Sequence, residues 1–249
     1  MAGHSHWANI AHKKALRDNK RGKLWSKLSK AIIIAAKSGG GDPDANLKLR
    51  YAIDAAKAVS VPKDNIQRAI RKGTGELDGG NLDEVLYEGY GPGGVAVLCE
   101  ILTDNRNRTA GEIRKAFEVC DGKLGATGCV AWMFERKGLF LVPVDRIDEE
   151  TLLEDALEAG ADDVRRVDDN FEITCDPALF AEVGTALGQH GIEPEMSEIS
   201  RIPNSTVDLD AETGKKVLEL MQKLDDHDDV QSVSANFNIP AEAMAEMQA

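Results

Sequence analysis

Three of the five histidines stand within the first twelve residues, at His4, His6 and His12, around Trp7 and just ahead of Lys13 and Lys14. The His4–His6 spacing could chelate a metal. Removal of Met1 would leave an Ala-Gly-His terminus, which can wrap Cu(II) or Ni(II) in square-planar nitrogens. Nothing in the flanking sequence shields or rigidifies such a site, and supporting contacts are what hold metal ligands in place. No resident metal and no cofactor are therefore expected. The competing chemistry is recognition. Indole and imidazole rings stack on unpaired bases, and neighbouring lysines neutralise phosphates.

The basic residues continue that second reading. Lys20, Lys23, Lys27, Lys30 and Lys37 recur at helical intervals, and no acid falls between Lys20 and Asp42. The four from Lys23 onward share one helix face, opposite Leu24, Leu28, Ile32 and Ala35. A solvated face normally mixes signs in i,i+4 pairs, and this one does not. Lys13, Lys14, Arg17 and Arg21 extend the charge towards the terminus. A further candidate is Thr103–Thr109 (TDNRNRT), where a strand pattern meets a helix pattern. Its free backbone N–H groups, with Arg106 and Arg108 beside them, could take a phosphate. The same stretch reads equally well as a helix cap with surface arginines.

Other motifs carry less. Gly89-Tyr-Gly-Pro-Gly-Gly94 matches G-x-G-x-x-G, but the residues after it form a strand pattern, whereas a dinucleotide site needs a helix there. Asp225-Asp-His-Asp-Asp229 lacks the ligand spacing of a calcium loop and reads as a solvated charge run. Cys99, Cys120, Cys129 and Cys175 form no C-x-x-C pair and read as reduced, mostly buried thiols. No Ser/His/Asp or Cys/His set can be assembled, so no enzyme is expected.

The totals fit a binding protein. The net charge of −13 hides a division: residues 1–75 hold 16 Lys/Arg against 5 Asp/Glu, and residues 76–249 hold 14 against 38. A basic end on an acidic body is the footprint of a polyanion binder, or of a basic end that docks on the body itself. The longest wholly apolar run, Ala31–Ala36, is far too short to span a membrane, and the polar start lacks a secretory h-region.

Four parts must position these residues. Residues 1–21 read as a flexible basic arm. Residues 22–75 read as three amphipathic helices, the second capped by Asp42 with Pro43 at its first position. Residues 82–137 with 204–240 read as one α/β domain, in which a strand at Val130–Glu135 closes the first segment. Residues 138–203 follow the strand–helix–strand–strand–helix–strand order of a ferredoxin-like fold and read as an insertion. The fold class is thus α+β and multidomain, with a helical N-terminal domain and two ferredoxin-like α/β domains.

Several stretches together resemble the YebC/PmpR family: GHSHWANI-H-K at 3–13, RGK at 21–23, GGGDPDAN at 39–46 and PKDNI-RAI-KGTGEL at 62–77. YEGYGPGG at 87–94, TDN-NRT at 103–109 and LG-TG-V-W-F at 124–134 extend the likeness over nearly the whole chain. The resemblance implies a bacterial cytoplasmic protein and a probable DNA-binding transcriptional regulator. It also implies an alternative, a ribosome-associated translation factor that binds rRNA or tRNA and eases stalling at proline runs. Family members often carry lysine where His6 and Ala11 stand, so this arm is less basic and richer in histidine. The combined expectation is a monomeric, non-enzymatic regulator whose partner is nucleic acid, with no membrane and no small-molecule substrate. A protein-interaction scaffold is the rival class.

Overall fold

A computed structural model describes residues 21–78, 82–167 and 169–248. Three helices open it: α1 (Arg21–Gly39), α2 (Leu47–Ala58) and α3 (Lys63–Gly73). Their apolar stripes meet in a small core of Ile32, Ala35, Leu49, Ile53, Ile66 and Ile70. Trp25 closes its edge, donating its indole N–H to the Val59 carbonyl at 3.2 Å. Gly73 lets α3 reach α1, because a Cβ there would lie 2.4 Å from the Ile33 carbonyl oxygen and 2.6 Å from the Ala36 Cβ.

The start of α2 differs from the sequence expectation. Pro43 sits in a turn, and the cap is Asn46 in place of Asp42. Buried Asn46 accepts from Leu49 N at 3.1 Å and donates from Nδ2 to the carbonyls of Ala35 and Gly40, each at 2.8 Å. One side chain thereby satisfies backbone groups at the end of one helix and the start of the next, which Asp42 could not do. Asp42 instead accepts from Asp44 N within the turn.

Strands β1 (Asp83–Tyr90) and β2 (Ala96–Thr103) form an antiparallel hairpin from Asp83↔Thr103 to Tyr90↔Ala96. Pro92–Gly94 turns between them, with Gly93 and Gly94 at φ of 70° and 78°. The G-x-G-x-x-G segment is therefore a strand–turn–strand, and no helix follows it. Helix α4 (Arg106–Val119) and the short β3 (Lys123–Leu124) come next. Ile34 of α1 packs with Leu82 and Leu102, which ties the helices to this sheet.

The chain then builds β4 (Phe134–Pro143), α5 (Glu149–Glu158), β5 (Ala161–Val167), β6 (Asn170–Cys175), α6 (Phe180–Gln189) and β7 (Met196–Pro203). The strand order β5-β6-β4-β7, antiparallel throughout, is that of a ferredoxin-like sheet. Its helix-facing core holds Phe140, Val142, Phe171, Ile173, Leu152 and Val183. The two segments read from sequence as separate strands, 130–135 and 138–144, are one ten-residue strand, β4. Gly138 inside it reads as a break by composition, yet it is buried against Cys175 and Phe180, where a Cβ would not fit.

After β8 (Val207–Asp208), helix α7 (Ala211–Asp225) and strand β9 (Val230–Ala235) return to the first sheet, whose order is β3-β1-β2-β9. Strand β10 (Phe237–Asn238) pairs in parallel with β8, and α8 (Ala241–Gln248) ends the chain. The first sheet is thus reached by a strand–strand–helix–strand order, completed by α7 and β9, and the ferredoxin-like order belongs to the second. Two compact units result. One contains the described residues up to Val130 with Glu212–Val233, the other Ala131–Ala211 with those from Ser234 onward. The return to the first sheet is narrower than the expected 204–240, because the flanks of that stretch pair with each other through β8 and β10.

Candidate nucleic-acid interface

The lysine face of α1 does exist, and it lies on the acidic loop between α7 and β9. Lys23 donates to the Asp226 carbonyl at 2.8 Å and stands 3.7 Å from the Asp228 carboxylate. Lys27 reaches the Asp225 carbonyl at 2.7 Å and its carboxylate at 3.0 Å. Lys30 reaches the Asp228 carbonyl at 3.0 Å and Asp229 Oδ1 at 2.6 Å. Lys37, two turns further, donates to the Leu82 carbonyl at 3.2 Å. The pairing encloses the side chains of Lys27 and Lys30, leaving them 12% and 20% exposed. A face read as open to phosphates is engaged within the chain, and the run read as a solvated loop is its partner.

Asp229 is the centre of this contact. It is buried at 4% exposure and accepts from Lys30, from Arg108 at 2.7 Å, from Thr109 Oγ1 at 2.8 Å and from Thr103 Oγ1 at 3.0 Å. Burial alone would raise its pKa, but the hydrogen bonds from Lys30, Arg108 and Thr109 outweigh that and hold the carboxyl well below the usual carboxylate range. The Asp229 amide donates to His227 Nδ1 at 3.1 Å, so His227 carries its proton on Nε2 and donates it to Glu112 at 2.8 Å.

The Thr103–Thr109 segment takes its cap form. Asn105 accepts from Arg108 N at 3.1 Å, and Thr103 Oγ1 accepts from Asn105 N at 3.0 Å. The helix begins at Arg106, three residues earlier than its apolar pattern. Arg106 pairs with Asp83 at 2.9 Å, and Arg108 with both Asp104 and Asp229. Lys23, Lys30 and Arg108, up to 85 positions apart in sequence, converge on one open cleft of about 650 Å³ that Asp104, Glu112 and Asp226–Asp229 also line. Arg106 and Lys37 do not join them. His4, His6, Trp7, His12, Lys13, Lys14, Arg17 and Lys20, and the side chain of Arg21, lie outside the described residues.

Sequence reasoning missed Asp229, Thr103 and Thr109 as partners of the basic residues. The signal that was available is complementarity: one unbroken cationic face and one dense acidic run in the same chain. Among the described residues, no helix is long and apolar enough to cross a membrane, and no group of three His, Cys, Asp or Glu could hold a metal ion.

The chain matches two family models, "TACO1/YebC protein N-terminal domain" over residues 5–76 and "TACO1/YebC second and third domain" over residues 82–237. It is 58% identical over 247 residues to a probable transcriptional regulatory protein of Rhodopirellula baltica, covering 99% of this chain and 100% of that one. A probable transcriptional regulatory protein of Geobacter sulfurreducens is 53% identical over 247 residues, with the same coverage. The crystal structure of a conserved hypothetical protein of Aquifex aeolicus superposes with a TM-score of 0.83 at 50% identity, covering 95% of this chain and 98% of that one. The helical N-terminal domain, the two sheet-bearing domains and these matches together place the chain in the TACO1/YebC family.

Proposed function

We propose that this protein is a cytoplasmic, non-enzymatic regulator of gene expression that binds nucleic acid through its N-terminal segment, in the first instance DNA at regulated promoters. The observation that carries the reading is the charge division, 16 Lys/Arg against 5 Asp/Glu in residues 1–75 of a chain with a net charge of −13. The names of the relatives, probable transcriptional regulatory proteins, support the regulatory role. Lys23, Lys27 and Lys30 are satisfied by the loop at 225–229, so first contact with phosphates falls to Lys13, Lys14, Arg17, Lys20 and Arg21. Phosphates that reach α1 must compete with carboxylates and carbonyls already in place. Such competition favours a dense polyanion over scattered charges.

A second reading, a ribosome-associated factor on rRNA or tRNA, is favoured by Trp7 and the histidines around it, since rings of this kind stack on unpaired bases. Crosslinking the protein in cells and sequencing the bound nucleic acid tests both readings. Enrichment of a few promoters supports the first, and enrichment of ribosomal and transfer RNA supports the second. Recovery of neither above background overturns nucleic-acid binding as the function.

A further inference from the structure

The ferredoxin-like sheet carries a second cleft, of about 410 Å³, on a face that the regulatory reading does not use. At its floor is Glu172 of β6, whose residue is 8% exposed. Glu172 lies across from Leu141 on β4 and Arg165 on β5. Among the described residues, no hydrogen bond or ion pair reaches its carboxylate. The residue is largely enclosed, but its carboxylate oxygens open into the cleft, where an occupant of the cleft can reach them.

The two cations nearby are already taken. Lys137 of β4 pairs with Asp162 at 2.9 Å, and Arg165 pairs with Asp163. Glu135 lines the same cleft, so four carboxylates face two cations there. The cleft therefore lacks positive charge, and the deficit is greatest at its buried floor. A metal ion does not suit it, since no group of three ligating side chains is assembled among the described residues. An ammonium does. It is compact and brings three donors, which Glu172 and the Thr174 hydroxyl on the same strand can accept together. Ile202 and Pro203 supply an apolar wall along which a methylene chain can lie, and Glu135 and Asp162 stand at the exposed rim for a second ammonium.

We propose that this cleft binds a linear aliphatic polyamine, with one ammonium seated on the Glu172 carboxylate. Burial pushes the Glu172 carboxyl up to about 7, against the attraction of Arg165 and with the repulsion of Asp163. The charged groups facing it are Glu135 and Lys137 from β4 and Asp162, Asp163 and Arg165 from β5; Asn204, after β7, adds a neutral amide. The amine binds the ionised form, so binding expels a proton at neutral pH and strengthens as pH rises.

Calorimetric titration of the full chain with spermidine at pH 6, 7 and 8, at an ionic strength that screens diffuse attraction, tests the site. One saturable site is expected, with affinity rising about tenfold from pH 6 to pH 8 as Glu172 ionises. Glu172→Gln should weaken binding about tenfold or more and remove the pH dependence. Affinity that is flat with pH, or unchanged in Glu172→Gln, would mean diffuse attraction to an acidic surface and overturn the proposal. Carboxyl NMR of the unmutated chain gives an independent readout, since spermidine must lower the Glu172 titration midpoint. A midpoint that does not move also overturns it. Neither experiment depends on nucleic-acid binding.

Discussion

Two carboxylates with opposite surroundings show how position sets chemistry at the level of single residues. Asp229 is buried among donors, and its depressed pKa makes it a source of stability that is fully present above the ordinary value of 3.8 and lost as pH falls below it. Asp229→Asn should cost about 3 kcal/mol at pH 7, because Lys30 and Arg108 lose their shared anion. Urea unfolding should show that gap narrowing as pH drops below 3.8; a gap that stays constant would mean Asp229 contributes shape alone. Glu172 has the reverse sign. Its folded-state pKa is raised from 4.5 to about 7, so stability falls as pH rises between those values. Glu172→Gln should therefore melt near the parent at pH 4.5 and above it at pH 8, by up to about 3 kcal/mol. A variant less stable than the parent at pH 8 would show the carboxylate to be satisfied.

At the scale of elements, the helices depend on local fit and on charge. Gly73→Ala should destabilise the protein by about 1–3 kcal/mol, since the new methyl meets the backbone of α1 where nothing flexible can yield; an unchanged thermal midpoint would mean that α3 can swing away. The acidic loop should also restrain α1 from nucleic acid. Asp225→Asn with Asp228→Asn should raise affinity for a polyanion about two- to fivefold at low salt, as Lys23 and Lys27 lose competing anions. Lower affinity in that variant would assign the loop a supporting role. Much at this scale was legible in the sequence. Apolar periodicity located α1, because the single stripe of Leu24, Leu28, Ile32 and Ala35 leaves a strong pattern. The cap of α2 was not legible: Asp42 and Asn46 are both good cap residues, and only the approach of Ala35 and Gly40 selects Asn46. The break assumed at Gly138 failed for a similar reason, since a glycine buried under a phenylalanine looks the same in sequence as one in a turn.

For the whole molecule, the charge division and the option that the basic end docks on the body were both visible from the sequence, but the residues that pair were not. The lysine face was found by spacing alone, while its partner stands some 200 positions away at Asp225–Asp229, a separation that no local pattern bridges. Folding has thus spent part of the basic end on the chain's own acidic loop. The central claim, binding through the N-terminal segment, therefore rests on residues before α1. Its most direct test is the salt dependence of nucleic-acid affinity for the full chain and for a variant lacking residues 1–20. Neutralising phosphates with Lys13, Lys14, Arg17 and Lys20 should contribute about 3–4 to the negative slope of log affinity against log salt, and the deletion should remove that contribution. Equal slopes in the two proteins, or no binding at about 50 mM salt, would contradict the account.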